Sequence, residues 1–486
     1  MSETGSDAST LRAMLQDARA RTLALSRDLN GERLLGPRLS IVNPPLWEIG
    51  HVGWFQEYWC LRYQGNGGLR TSMLAHADNL YDSATVPHAT RWDLPLPDFD
   101  ATLSYLQQVL GRVLERIDRE GATEFLQYFA QLAVFHEEMH CEAFTYSRQT
   151  LGYAAPATGG TCATTDAGAW PGDVEIAGGE FMLGAEPGTG FVFDNEKWGH
   201  AVGVPPFCIA RAPVTNADYA VFVEDGGYGR CELWSDNGWQ WREQTGAQAP
   251  VYWQKRDGEW LQRHYDAMVA ILPHRPVIHV NWYEADANCR WARRRLPTEA
   301  EWEFAAATTP GSAGRRRRFP WGDAAPSSRH ANLFGVAGAC VDVAACGKGD
   351  SGWGCRQMFG NVWEWTADWF GPYPGFEADP YKEYSAPWFG NHKVLRGGCF
   401  ATHPGLLRNT WRNFYTPDRR DVFAGFRTCA LVPPSGGAPA SREQGSRLRD
   451  ATARESGAAT LSAGAAFASG ATSPEGARVP PSGVAS

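Results

Sequence analysis

Residues 124–150 read EFLQYFAQLAVFHEEMHCEAFTYSRQT, and their periodicity decides the first half of the fold. Phe125, Phe129, Leu132, Phe135, Met139 and Phe144 recur at helical spacing, which predicts one long amphipathic helix from about Glu124 to Thr150. Within it His136 and His140 stand four residues apart, so both imidazoles leave one face and can converge on a single ion.

Working outward, three more stretches carry the same period. Leu11, Met14, Leu15 and Ala18 form one stripe. A second runs from Pro45, a favourable first-turn residue, through Trp47, Ile49, Phe55 and Trp59. A third spans about Asp98 to Asp118 with Leu103, Leu106, Leu110 and Leu114 on one face. Four amphipathic helices predict a four-helix bundle, an architecture that builds metal sites from facing helices. The connection from Gly65 to Pro97 is too long for a bland linker.

His51, flanked by Trp47, Trp54 and Phe55, lies in the second helix. Taken singly it reads as a core histidine; taken with the pair it completes three neutral nitrogen donors, a set suited to Fe(II), Zn or Cu with positions left for water or substrate. Glu142 follows His136 by six residues, about 600° of rotation, so it points off the histidine face and reads as a packing or supporting residue. The segment His136-Glu137-Glu138-Met139-His140 also fits the HExxH pattern of zinc hydrolases, although no downstream GxxH follows in this helix.

After Gly152 an Ala, Thr and Gly-rich stretch to about Ala169 reads as a linker. From Pro171 to about Pro433 short strand-like pieces such as Glu180–Leu183, Val277–Val280 and Lys393–Leu395 alternate with Gly, Pro, Asn and Trp-rich loops. Short helices are expected at Thr215–Glu224, Trp282–Arg293 and Thr298–Ala306, the last opened by a Thr298/Glu301 capping box. Beyond Ser435 almost no large apolar residue remains, which predicts a disordered tail. The expected organisation is a helical bundle over 1–155, a loop-rich domain over 156–435 and a tail over 436–486.

A chain of 486 residues exceeds what one core usually supports. Its net charge of -9 is spread over mixed-sign sequence and offers no basic face for nucleic acid. The one basic run, Arg315 to Arg318, reads as a solvated loop. There is no secretory start and no apolar run long enough for a membrane span, so a cytoplasmic protein acting on small molecules, without a membrane partner, is expected. Eleven Cys without a CxxC pair argue for reduced thiols.

Further motifs carry a resemblance. Gly50-His51-Val52-Gly53-Trp54-Phe55 and His136-x3-His140-x-Glu142 precede Gly178-Gly179-Glu180-Phe181-Met182-Leu183-Gly184, Pro213-Val214-Thr215-Asn216, Arg295-Leu296-Pro297-Thr298-Glu299, Gly360-Asn361-Val362-Trp363-Glu364-Trp365 and Leu395-Arg396-Gly397-Gly398. Over about residues 10–433 this resembles a DinB-like bundle joined to a formylglycine-generating-enzyme-like domain, which is C-type-lectin-like; the fold class is α+β. The pairing is similar to the nonheme iron enzymes that join sulfur or selenium to the imidazole C2 of a histidine derivative, among them ergothioneine and ovothiol sulfoxide synthases and selenoneine synthase. The resemblance implies Fe(II) held by His51, His136 and His140, O2 as co-substrate, and hercynine as acceptor. It also implies an acceptor-binding segment at Arg412-Asn413-Phe414-Tyr415, where aromatic faces suit a quaternary ammonium.

Three departures from the thiol-using relatives bear on the donor. Met139 stands where a glutamine is usual, and a thioether cannot donate a hydrogen bond to the acceptor. Phe370 stands where a tyrosine near the iron is expected, leaving Tyr373 as the nearby phenol. His88-Ala89-Thr90-Arg91-Trp92-Asp93 offers one arginine where relatives that bind γ-glutamylcysteine place several; Arg91, Trp92 and Asp93 suit a sugar better. These departures favour a selenosugar donor, with a thiol donor as the alternative and an HExxH zinc hydrolase or a lectin-like binding module as competing classes.

Overall fold

Five helices build the N-terminal half: α1 (Ala8–Ser26), α2 (Pro45–Glu57), the short α3 (Ala77–Tyr81), α4 (Phe99–Glu120) and α5 (Glu124–Leu151). The computed structural model describes residues 7–65, 67–157, 166–311 and 315–432. The predicted tail from 436 onward lies outside the described residues, as do 158–165 of the predicted linker.

Local chemistry fixes the helix ends. Asp7, Asp98 and Thr123 accept hydrogen bonds from the backbone N–H groups of Thr10, Ala101 and Leu126, and so cap α1, α4 and α5. Gly152 takes the left-handed conformation that closes α5. α1 packs on α5, and α2 packs on both α4 and α5, which makes the four long helices a bundle. α2 runs on into a π-helical turn at Tyr58–Arg62.

α5 departs from the simple amphipathic reading. From Leu132 to Gln149 every residue is buried, because the bundle covers one side and the second half of the chain covers the other. Its polar residues are therefore paired: Glu137 with Arg19 at 2.8 Å, Glu138 with Arg21 at 2.9 Å, and Arg148 with Asp28. A helix buried all round is a central element, not a surface one.

The second half is sheet-rich. One four-stranded antiparallel sheet orders Asp173–Ile176, Phe207–Ala210, Cys429–Ala430 and Arg294–Arg295. The other orders Asn413–Tyr415, Lys393–Arg396, Trp363–Trp369 and Ala424–Gly425, the last pairing parallel. A hairpin of Gly179–Leu183 and His200–Val204 and a three-stranded sheet over 253–270 complete it. Helices α6 (Asn216–Glu224), α7 (Asp236–Thr245), α8 (Trp282–Trp291) and α9 (Glu299–Ala307) sit among them, and Thr298 and Glu301 form the expected capping box.

Two expectations need correction. Val277–Val280 forms no strand: Val277 and Val280 donate single bonds to Val214 and Ala424, and His279 between them takes a φ of 62°, which breaks any ladder. α7 was not anticipated, because its burial is slight and its sequence lacks an apolar stripe. In the basic run, Arg316 reaches Glu186 and Glu303 and so ties the loop to α9, and Arg317 donates to the Pro320 carbonyl within the loop. Among the described residues no helix is long and apolar enough to cross a membrane.

Candidate metal centre

α2 and α5 bring His51, His136 and His140 together, all buried, with one ring nitrogen from each within 4.8 Å of the others. Two glycines permit the approach of the surrounding elements. A Cβ on Gly50 would meet the Tyr81 ring at 2.3 Å, and one on Gly53 would meet Leu106 at 2.7 Å, so α3 and α4 close on α2 only where it has no side chain.

The hydrogen bonds select which nitrogens face inward. His51 Nδ1 donates to the Tyr81 carbonyl at 2.7 Å, which leaves Nε2 with its lone pair. His140 Nδ1 donates to Glu48 Oε1 at 2.7 Å, and its Nε2 is buried without a partner. His51 Nε2 and His136 Nε2 lie 3.3 Å apart. Two nitrogens each about 2.1 Å from one ion, at about 90–110° to each other, are separated by about 3.0–3.4 Å. Burial, and after it the neighbouring histidines, lowers the pKa of His51 and His136 well below the ordinary value, so these are neutral imidazoles. Nitrogens of buried imidazoles at this separation, with His140 Nε2 unpartnered beside them, fit a bound cation.

Aromatic rings wall the centre. Trp47 stacks on His51 at 4.9 Å and Phe55 on His136 at 3.6 Å. Tyr381, from a loop of the sheet-rich half, sits edge-on to Phe55 at 5.0 Å and has its ring 6.4 Å from that of His136.

This chain matches the DinB superfamily over residues 14–143 and the sulfatase-modifying factor enzyme 1-like domain over 160–431. It is 39% identical over 433 residues to the hercynine oxygenase of Mycolicibacterium thermoresistibile, covering 86% of this chain and 94% of that one. The chain belongs to the hercynine oxygenase family. The Mycolicibacterium smegmatis hercynine oxygenase is 40% identical, over 86% of this chain and 98% of its own. The formylglycine-generating enzyme of Streptomyces coelicolor is 35% identical over 53% of this chain and 88% of its own, and so matches the second half alone. This member of the hercynine oxygenase family is thus an oxidoreductase of α+β fold, a DinB-like bundle followed by a formylglycine-generating-enzyme-like domain.

The other sequence-derived site residues divide. Met139 is buried between two of the histidines along α5, and its Sδ accepts from the Tyr384 hydroxyl at 3.7 Å. Tyr384 stacks on Phe193 at 4.3 Å and lies 5.8 Å from Phe414, so Phe414 reaches this wall. Phe370 stacks on the far partner, Phe414, at 4.0 Å, and is one ring further back than its expected place. Tyr373 is corrected outright: its hydroxyl donates to Glu299 at 3.4 Å and its ring lies under Arg412. The phenols of the histidine wall are Tyr381 and Tyr384.

Arg412 spends its guanidinium on Glu299, at 2.7 and 3.0 Å, and on the carbonyls of Asn195 and Gly371, so it braces the fold rather than offering a free cation. Asn413 Oδ1 accepts from the Phe414 N–H, and Tyr415 is buried beneath Arg419. Arg91 is 1% exposed, stacked over Trp47 at 3.8 Å, and donates to Asn43 and to the carbonyls of Ser83 and Val86. Trp92 donates to the Leu35 and Gly36 carbonyls, and exposed Asp93 pairs with Arg38. The three therefore do not gather into one sugar-binding face. Glu142 does point off the histidine face, accepting from Trp363 at 2.6 Å and Thr402 at 2.5 Å and so tying α5 to the second domain.

Glu48 was not singled out from sequence, because its link to His140 joins two helices. It orients the ring and holds the proton on Nδ1. Glu48→Gln is expected to weaken Fe(II) or Zn(II) affinity about 10–100-fold while the far-UV CD is unchanged. Equilibrium dialysis against a competing chelator reads this directly.

Proposed function

We propose that this protein is an Fe(II)- and O2-dependent enzyme that forms a carbon–chalcogen bond at the imidazole C2 of hercynine. The observation that carries this reading is the cluster of three buried histidines on α2 and α5, in a chain whose relatives are named hercynine oxygenases. His51, His136 and His140 would hold the iron, which when bound supplies the electrons and open positions that O2 activation needs.

The chain's own residues do the rest. Glu48 and the Tyr81 carbonyl fix the His140 and His51 rings. Tyr384, Phe193, Phe414 and Tyr381 offer aromatic faces, which suit the trimethylammonium of a betaine. Tyr381 holds or moves a proton at its hydroxyl beside the reacting imidazole. Tyr381→Phe is expected to cut product formation by about 10²–10⁴-fold with metal content unchanged, as read by product mass spectrometry.

The donor we assign is a selenosugar. γ-Glutamylcysteine carries two carboxylates and calls for two cations. Between α2 and α4 the chain supplies Arg62, which is consumed by Asp78, Arg70, which is exposed, and Arg91, which is consumed by Asn43, Trp47 and two carbonyls. That supports a neutral donor. The thiol reading is supported by Tyr381, since the phenol that Phe370 lacked is supplied from another loop position.

The test is anaerobically loaded Fe(II) protein given hercynine and O2 with a selenosugar, cysteine or γ-glutamylcysteine. A seleno product supports the whole assignment. A product with a thiol only would reject selenium and keep the C2 chemistry, and no product with any donor would reject both.

A further inference from the structure

His51, Trp54 and Tyr58 stand at i, i+3 and i+7 and so share one face of α2 as it runs into the π-helical turn. Their rings follow one another outward. His51 and Trp54 are stacked with centroids 5.7 Å apart, and Trp54 and Tyr58 lie 5.3 Å apart. Trp54 is 6% exposed, whereas Tyr58 reaches partial exposure. The ring nearest His136 is Phe55, at 3.6 Å, an unsubstituted benzene ring far harder to oxidise than an indole or a phenol, and the Tyr381 phenol stands further off at 6.4 Å.

Two features exceed what packing needs. The Trp54 indole N–H donates to Asp78 Oδ1 at 2.7 Å, and Asp78 is itself held by Arg62 through both oxygens at 2.7 and 2.8 Å. A carboxylate on the N–H eases removal of an electron from an indole, because it stabilises the cation radical and can take its proton. Around Tyr58, burial raises the phenol pKa, and the charges of Asp82 and Glu383 raise it further.

We propose that Trp54 and Tyr58 form a one-electron path that drains oxidising equivalents from the histidine centre to the surface when turnover fails for want of acceptor or donor. This rests on the Fe(II) and O2 reading above. The oxidant is O2, and each electron passed inward carries its reduction on toward water with a proton from solvent. Trp54 gives up one electron and its N–H proton shifts toward Asp78. Tyr58 then gives Trp54 one electron, its phenolic proton leaves to a carboxylate or water, and the proton on Asp78 returns to the indole. A solution thiol donates a hydrogen atom to the tyrosyl radical, which restores Tyr58 and leaves a thiyl.

The experiment exposes Fe(II)-loaded protein to O2 without hercynine or donor, and follows O2 uptake, freeze-quenched EPR with ring-deuterated tyrosine, and peptide oxidation by mass spectrometry. Wild type is expected to show a tyrosyl signal that narrows with the label, to lose it in Tyr58→Phe and Trp54→Phe, and to retain it in Tyr63→Phe. Tyr58→Phe is expected to keep its coupled rate but to inactivate faster and to accumulate oxidation on residues around the histidines. O2 uptake with no radical, or with the same radical in Tyr58→Phe, would overturn the path. No O2 uptake by iron-loaded protein would overturn the reading beneath it, and the path with it.

Discussion

Replacing His136 and His140 together by alanine is expected to reduce bound metal from a full equivalent to background and to abolish product formation. The two rings supply two of the three inward nitrogens, and His51 alone cannot hold a divalent ion against solvent. Removing His140 leaves the buried Glu48 without its 2.7 Å partner, so the variant should fold with lowered stability. The check is metal analysis together with thermal unfolding. A ligand that binds only the native state raises Tm by mass action, so added Fe(II) should shift wild type and leave the double variant unmoved.

Glu364→Ala is expected to cost about 3–5 kcal/mol of stability, because it strands a buried guanidinium. Glu364 takes Arg427 at 2.6 and 2.7 Å and the Trp302 indole N–H at 2.7 Å, and Glu364 and Arg427 are at most 1% exposed. This knot joins the strand Trp363–Trp369, α9 and the chain entering the last strand of the first sheet. Denaturant unfolding should show a fall in midpoint. Glu364→Gln should lose less, since its amide oxygen can still accept from Trp302 and Arg427.

The bundle and its histidine cluster were legible because they depend on periodicity. An i, i+4 histidine pair in a strongly periodic helix places itself, and only the pairing of α2 with α5 had to be supplied by packing. Glu48 was not legible, since its bond to His140 joins residues 92 apart. Tyr381 and Tyr384 were missed because the loop from 370 to 392 has no period, only short 3-10 turns, and position in it cannot be counted from a neighbouring motif. It is fixed instead by side-chain ties: Asp379 takes Lys197 at 2.7 Å and Tyr128 at 2.8 Å, and Ser385 donates to Asp194. Arg91 and Arg412 show the reverse error. A charged residue in a candidate binding loop looked available, yet burial requires that its donors be satisfied, and the protein satisfies them itself.

Oxidative bond formation at the hercynine C2, proposed for a metal held on α2 and α5, must expel the hydrogen at that carbon. Hercynine carrying deuterium at C2 tests it without presuming which chalcogen is transferred. With Fe(II), O2 and a competent donor, the product should lose that deuterium in step with O2 uptake, beyond the slow exchange seen without enzyme. A product that retains the deuterium would rule out bond formation at C2.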